Sequence, residues 1–453
     1  MTTVVTRAEQ ADDVLARRDV LERVAAQVLD RARERGASAA EVDVALDAGL
    51  TVTARLGEVE TIEHQRDQSV GVTVYFGQRK AHATGAAFDG AAVDAVVEAA
   101  CAIAQFTQPD PYAGLADAAR MAHALPELDL YHPWAGLDAE TAIELAVRCE
   151  AAARGVDPRI TNSEGATVST ERGLSLYANS HGFAGAHSGT RHSISCSVIA
   201  ADDAGMQRDY WYDSARRVER LAAAEAIGRT AGERAIARLG ARTLGTRSAP
   251  VLFDPSMARS LVRSLFGALA GSAQYRKSSF LLDRAGERIF PDWLRIHERP
   301  HLRGGNGSAA FDGEGVATVA RDWIADGAIT GYVLDSYSAR RLGLETTGNA
   351  GGVRNVRVEP GGRDDLLAAM GTGLVVTEMM GQGVNAVTGD YSRGAAGYWV
   401  ENGTIAFPVE EITIAGNLKD MFAGLVAVGS DVDTRGNIET GSWLLERMTI
   451  AGE

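Results

Sequence analysis

The sequence predicts an α+β fold in two domains: an N-terminal domain of helices on antiparallel sheet, and a mostly-β, barrel-like C-terminal domain. Three observations carry this. Apolar residues first recur with a helical period and then with period two between glycines. That order of helix, strands and helix comes twice before residue 242, as two similar halves without a residue-level repeat. Beyond about Gly271 the helical segments are short, and glycines and strand patterns dominate.

In the first half, Leu21, Val24, Ala25, Val28, Leu29 and Ala32 share one helical face over Val14–Arg35, with Gly36 in the C′ position. Period-two runs at Val42–Leu46, Val52–Leu56 and Val70–Val74, broken by Gly49, Gly57 and Gly77, predict four antiparallel strands between Glu41 and Gly85. Helices follow at Gly90–Phe106 with Asp89 as cap and at Ala139–Arg154 with Asp138 as cap. A strand-rich block spans Ile160–Tyr212, and a helix spans Val218–Leu239. Thr243–Ala249 is short, polar and Gly-containing, so domains are expected at 1–242 and 243–453. The second begins with a strand, Pro250–Phe253. Asp254-Pro255 then opens a helix to Ala270. Short helices are expected at Ser336–Leu342, Asp364–Met370 and Leu418–Phe422, and strands at Thr330–Leu334, Leu374–Met379, Gly397–Val400 and Ile412–Ile414.

Composition excludes several classes. The 453 residues are 45% hydrophobic and 23% charged, as in ordinary globular proteins. With 45 basic and 60 acidic residues the net charge is −15, and the arginines are dispersed, so no nucleic-acid partner is expected. No apolar run is long enough to cross a membrane, and residues 1–13 lack the apolar core of a signal peptide. Cys101, Cys149 and Cys196 are too few for a disulfide framework and read as buried small residues in a reducing, cytoplasmic setting.

Two motifs invite chemistry. His297-Glu298-Arg299-Pro300-His301 matches H-E-x-x-H, which holds zinc only on a helix; Pro300 and the strand-like Trp293–Ile296 argue for a chance match in a strand-to-loop segment. Gly381-Gln382-Gly383 after Leu374–Met380 resembles a dinucleotide fingerprint, but no helix can follow it. A close backbone approach, to a ligand or to another strand, is the better reading. His181, His187 and His192 fall at mixed odd and even spacings in strands, which suits opposite sheet faces better than one metal. Asp312-Gly313, Asp326-Gly327 and Asn402-Gly403 are hairpin-turn signals.

Longer stretches carry a resemblance. Tyr275-Arg276-Lys277-Ser278-Ser279-Phe280-Leu281-Leu282-Asp283, Ser336–Leu344 with Thr347–Gly352, Met370–Glu378 running into Met380–Gly383, Thr388–Gly397 and Glu411–Leu418 resemble the TldD/PmbA peptidase family, in its PmbA or TldE branch. Ser69–Tyr75 and Ile160–Gly165 agree. The resemblance implies a subunit of a two-chain zinc metallopeptidase that degrades or matures peptides. In that family the TldD-type chain carries H-E-x-x-x-H on a helix of the C-terminal domain and a downstream Cys. The matching helix here, Ser256–Ala270, has no His, Glu, Asp or Cys, and no Cys lies near Gly436–Gly441. No catalytic and no metal-binding residue is therefore expected in this chain; zinc belongs to a TldD-like partner.

The expected substrate-binding residues are Gly381, Gln382 and Gly383, and Asp390, Tyr391, Ser392 and Arg393 in a loop facing the peptide channel. A local Asp–Arg pair pinning a turn is the plainer alternative for the latter. A self-sufficient metallopeptidase using His297 and His301, and a non-proteolytic peptide-binding scaffold or homodimer, are the competing functions.

Overall fold

The computed structural model describes residues 14–203 and 205–452. The reading of residues 1–13 lies outside them.

A single turn of 3₁₀ helix leads into α1 (Arg18–Glu34), whose buried Leu21, Val24, Ala25, Val28 and Ala32 form the expected face. Gly36 takes φ +85°, the left-handed conformation that ends a helix. Three strands follow, not four: β1 (Ala39–Arg55), β2 (Glu58–Phe76) and β3 (Arg79–Gly85). Gly49 does not break the chain. It lies inside β1, opposite Gln65 and Glu171, where ladders on both sides keep the strand extended.

The helices α2 (Gly90–Phe106) and α3 (Ala139–Arg154) begin at Asp89 and Asp138, whose carboxylates accept from Ala92 N and Thr141 N. Strands β4 (Ile160–Asn179), β5 (Ala184–Asp202) and β6 (Gly205–Ala215) extend the sheet to the order β3-β2-β1-β4-β5-β6. The expected helix over Val218–Leu239 is split: a 3₁₀ turn at Val218–Arg220, then α4 (Ala224–Ala237). The helices cover one face of this curved sheet in two cores, one with α1 and α2, one with α3 and α4.

The rest of the chain forms a second layered unit. β7 (Arg247–Phe253) leads into α5 (Pro255–Leu269), where Asp254 accepts from Met257 N and Pro255 opens the first turn. A short α6 (Gly271–Tyr275) follows. A five-stranded sheet has the order β10-β9-β8-β11-β16, from β8 (Ile296–Glu298), β9 (Arg321–Ala325), β10 (Ala328–Ile329), β11 (Val356–Val358) and β16 (Ile438–Glu439). The other sheet runs β14-β13-β12-β7-β17-β15, from β12 (Gly373–Met380), β13 (Asp390–Glu401), β14 (Thr404–Asn417), β15 (Leu425–Val428) and β17 (Trp443–Ala451). β14 also pairs with β17, which closes five of its strands into a barrel. Short helices α7 (Ser336–Leu342), α8 (Leu366–Met370) and α9 (Leu418–Ala423) fall close to where the pattern predicts them.

Asp326-Gly327 and Asn402-Gly403 do turn hairpins, with both residues at positive φ. Asp312-Gly313 does not. Asp312 is buried, and its carboxylate accepts from Glu314 N, Val316 N and Ala350 N, so it organises a loop. Thr330–Leu334 is irregular rather than a strand.

Many contacts join the N-terminal unit to the second, the following among them. Arg340 on α7 donates to Tyr112 O at 2.9 Å and Gly114 O at 3.0 Å, and also to Leu115 O, while Tyr337 Oη donates to Asp110 at 2.7 Å. Arg238 after α4 pairs with Glu378 on β12.

Candidate functional site

The sequence-predicted residues sit in and beside the β12–β13 connection. Gly381 takes φ +77° just after β12. At Gly383 a Cβ would lie 1.5 Å from Ser392 O, and Ser392 N donates to Gly383 O at 2.7 Å. The close backbone approach is therefore made to the chain's own β13, and glycine is a steric necessity there. Gln382 is exposed.

Asp390, Tyr391, Ser392 and Arg393 are not a loop but the first residues of β13, paired with Asn417, Gly416, Ala415 and Ile414. The ladder with β14 outweighs the flanking glycines. Asp390 pins the turn through Thr388 Oγ1 (2.6 Å) and Asn417 Nδ2 (3.1 Å), not through Arg393. Those bonds hold its carboxyl below the ordinary range. Tyr391 is buried with its hydroxyl 2.9 Å from Met379 Sδ, and burial pushes it up to about 12 against the opposing charge of Arg393. Arg393 is half-buried, and its Nε finds no hydrogen-bond partner among the described residues.

The H-E-x-x-H match falls on β8 and the loop after it, as expected. His297 Nε2 lies 2.7 Å from Glu359 Oε1, and His301 Nε2 lies 2.9 Å from Thr318 Oγ1. Glu298 is buried elsewhere, accepting from Trp323 Nε1 at 2.9 Å, Asn349 Nδ2 at 3.0 Å and Arg354 N at 2.5 Å. Burial raises its carboxyl despite these donors.

The helix to which the resemblance assigns zinc ligands is α5. Its buried side is Ala258, Leu261, Val262, Leu265, Phe266, Ala268, Leu269 and one charge, Arg259. Arg259 Nη2 lies 2.6 Å from Asp433 Oδ2, both side chains being 7% and 6% exposed, in an orientation that makes an ion pair rather than an aligned hydrogen bond. Arg435 takes Asp433 at 2.8 Å and stacks between Trp211 and Tyr212. Zinc needs about three protein ligands drawn from thiolate, imidazole and carboxylate. The side chains here do not fit it: α5 offers none, Asp433 is already held by two guanidiniums, and no group of three or more His, Cys, Asp or Glu gathers among the described residues.

Sequence reasoning missed a second polar region, on the face of the N-terminal sheet opposite the helices. Register alone assembles it. Asp43 lies beside Tyr177 and Gly71; Ala45 beside Ser175, which pairs with His187; Asp47 beside Gly173, which pairs with Gly189. A cavity of about 300 Å³ opens there between Asp47, Ser175, His187, Arg191 and Arg216. Its floor is glycine: a Cβ on Gly173 would lie 2.5 Å from Asp47 Oδ1, and one on Gly189 2.7 Å from Arg216 Nη1.

Above it, Glu41 accepts from Tyr75 Oη at 2.8 Å and Tyr177 Oη at 2.9 Å. The tip of Asp43 meets solvent, but protein surrounds it on most sides, and this burial with neighbouring Glu41 pushes it up to about 6. Burial, with Arg216 and Arg354 nearby, pushes His187 down to about 4, so it is neutral at pH 7. Of the three histidines only His187 faces this cavity; His192 packs on Trp134 on the other side, and His181 is exposed at a turn. Such a face can take the polar backbone of an extended chain, with carboxylates for a cationic group. Its only local sequence signal is the acid at every second position in Glu41-Val42-Asp43.

Comparison with known proteins agrees with this architecture. Residues 40–104, 132–239 and 246–452 match models of PmbA/TldA metallopeptidase domain 1, central domain and C-terminal domain. The chain is 49% identical over 442 residues to metalloprotease PmbA of Escherichia coli O157:H7, covering 97% of this chain and 98% of that one. The chain belongs to the PmbA/TldD metallopeptidase family. Among solved structures, a Bacteroides thetaiotaomicron protein described as a modulator of DNA gyrase superposes with TM-score 0.90 at 27% identity, covering 95% of this chain and 99% of that one. TldE from Thermococcus kodakarensis shares the fold at TM-score 0.78 and 19% identity, covering 95% and 100%. No helix among the described residues is long and apolar enough to cross a membrane.

Proposed function

We propose that this chain is the PmbA/TldE-type subunit of a two-chain zinc peptidase of the cytoplasm. It shapes the channel for an extended peptide, and a TldD-like partner holds the metal and hydrolyses the bond. The observation that supports this reading is the Arg259–Asp433 pair: a helix whose one buried ionic group is a guanidinium neutralised in place has neither the donors nor the electrostatics for a dication. The likeness to a chain named PmbA over nearly the full length supports the branch. His297 and His301, each held by a different neighbour, do not favour a self-sufficient enzyme.

In this reading Gln382, Ser392 and Arg393 contact the peptide near the β12–β13 turn, while Gly381, Gly383, Asp390 and Tyr391 build that turn. The test is co-expression with a TldD-like chain from the same genome. The complex cleaves peptides and contains zinc; the isolated chain does neither. Stoichiometric zinc in the isolated chain, lost in His297→Ala, would overturn the proposal. So would a chain that forms a homodimer and no complex.

A further inference from the structure

At its β3 end the N-terminal sheet leaves a long stretch of β2 unpaired among the described residues. β3 pairs with β2 only over Val70–Phe76, so among the described residues β2 from Glu58 to Gln68 has β1 on one side and no strand on the other. Every residue from Glu58 to Asp67 is exposed. A bare edge of this length is a template for another strand, and proteins ordinarily shorten, cover or charge such edges.

The two faces of this edge differ. Toward the helices, Val59 and Ile62 are each 45% exposed, beside buried Ala54 and Val52. A cavity of about 280 Å³ lies on that side, between Leu50, His64, Trp134 and Leu137. Toward the open face stand Glu63, opposite Thr51, and Asp67, opposite Asp47. The segment 58–67 holds four acids, Glu58, Glu60, Glu63 and Asp67, against one arginine, Arg66. A second copy would bring the same acidic edge and meet like charge along the ladder, which disfavours self-pairing. A strand of opposite charge meets no such barrier.

We propose that the Glu58–Gln68 edge is a docking site for one extended strand of a different chain. That strand has lysine or arginine on the side facing Glu63 and Asp67, and an apolar residue on the side facing Ile62 and the Trp134 cavity. Resting on the function proposed above, the strand belongs to the metal-carrying partner subunit. Main-chain hydrogen bonds supply affinity and the alternating side chains supply selection.

Two measurements test it with the full chain. In the first, a fluorescein-labelled peptide of alternating lysine and valine is titrated by anisotropy. It binds the wild type, binds at least tenfold more weakly to Glu60→Lys/Glu63→Lys, and is unaffected by Asp19→Lys/Glu22→Lys on α1. In the second, the same variants are titrated with the purified partner subunit, melting temperatures being measured alongside. Glu60→Lys/Glu63→Lys loses tenfold or more in affinity without a fall in melting temperature, and Ile62→Asp does the same. A wild-type chain that ignores the peptide overturns the inference, as does a partner that binds every variant equally. Self-association of the wild type through this edge, abolished by Ile62→Asp, also overturns it. Peptide binding without any partner binding overturns the proposed function and leaves the basic-strand site standing.

Discussion

The guanidinium of Arg259 and the carboxylate of Asp433 meet at 2.6 Å, joining the helix that opens the second unit to the loop before its last strands. Asp433 keeps a second partner, Arg435, and Arg259 has no other ion pair among the described residues. Removing the acid strands the buried guanidinium of Arg259 and takes from Arg435 its ion pair, leaving it Tyr212 O and the flanking rings; removing Arg259 strands no cation. Asp433→Ala is therefore expected to cost about 3–5 kcal/mol and Arg259→Ala clearly less, although breaking either half of a buried pair destabilises. Urea unfolding of the two variants checks the order; equal losses would show that the pair is not coupled as described.

The same carboxylate gives a pH dependence. Burial works against its charge, but the bonds from Arg435 and the proximity of Arg259 hold Asp433 below the ordinary aspartate range. A depressed folded-state value contributes stability above the unfolded value of about 4, lost as pH falls through the folded value. Wild type is expected to lose stability between pH 4 and more acidic values more steeply than Asp433→Asn. Thermal melts across that range would show parallel curves if the residue were uninvolved.

Asp43 has the opposite sign. Its carboxyl, pushed up to about 6 by burial and Glu41, favours the folded state while protonated and opposes it increasingly as pH rises from about 4 through 6. Asp43→Asn should leave stability unchanged at pH 4 and raise it at pH 7.5. Because its tip meets water the gain is about 1 kcal/mol or less. Carboxyl NMR titration should place its midpoint near 6; a midpoint near 4 would contradict the enclosed setting.

Gly383 separates architecture from recognition. A methyl group there collides with Ser392 O, so Gly383→Ala should destabilise by about 2 kcal/mol or more through a forced shift of β13. Gln382→Ala, at an exposed position, should leave stability alone and change only peptide cleavage by the two-chain enzyme. Chemical denaturation and cleavage assays on both variants distinguish the roles.

Arg393→Ala should lower kcat/KM of the reconstituted enzyme about ten- to a hundredfold if the outer nitrogens of this half-buried guanidinium serve a peptide carbonyl or carboxylate. Complex formation and melting temperature are expected to hold. Unchanged cleavage would leave Arg393 as support for Tyr391.

Local signals made much of this fold legible. Asp89, Asp138 and Asp254 each name a helix start because capping is decided within three residues. Where the sequence misled, long-range pairing had overruled a local cue. Gly49 and Gly389–Gly394 look like breaks, yet neighbouring strands hold Gly49 and Gly394 extended. The sheet face bearing Asp43, Tyr177 and His187 left almost no trace in the sequence, because those residues meet only through strand register. The ion pair on α5 was invisible for the same reason. That α5 carries no His, Glu, Asp or Cys could be read directly; the pairing of its Arg259 with Asp433 could not.

Arg340 is made more than two hundred residues after the three carbonyls it holds. At a synthesis rate of about 5–20 residues per second, the segment around Tyr112–Leu115 waits roughly 10–45 s on the ribosome for that guanidinium. During this time the first sheet can already be complete, while its polar face still lacks the loops that enclose it. The newborn chain thus presents its carboxylates and tyrosines on a bare sheet face before the later loops reach them. The bonds that fix the Tyr112–Leu115 segment are a late event in biosynthesis, made only once α7 has arrived.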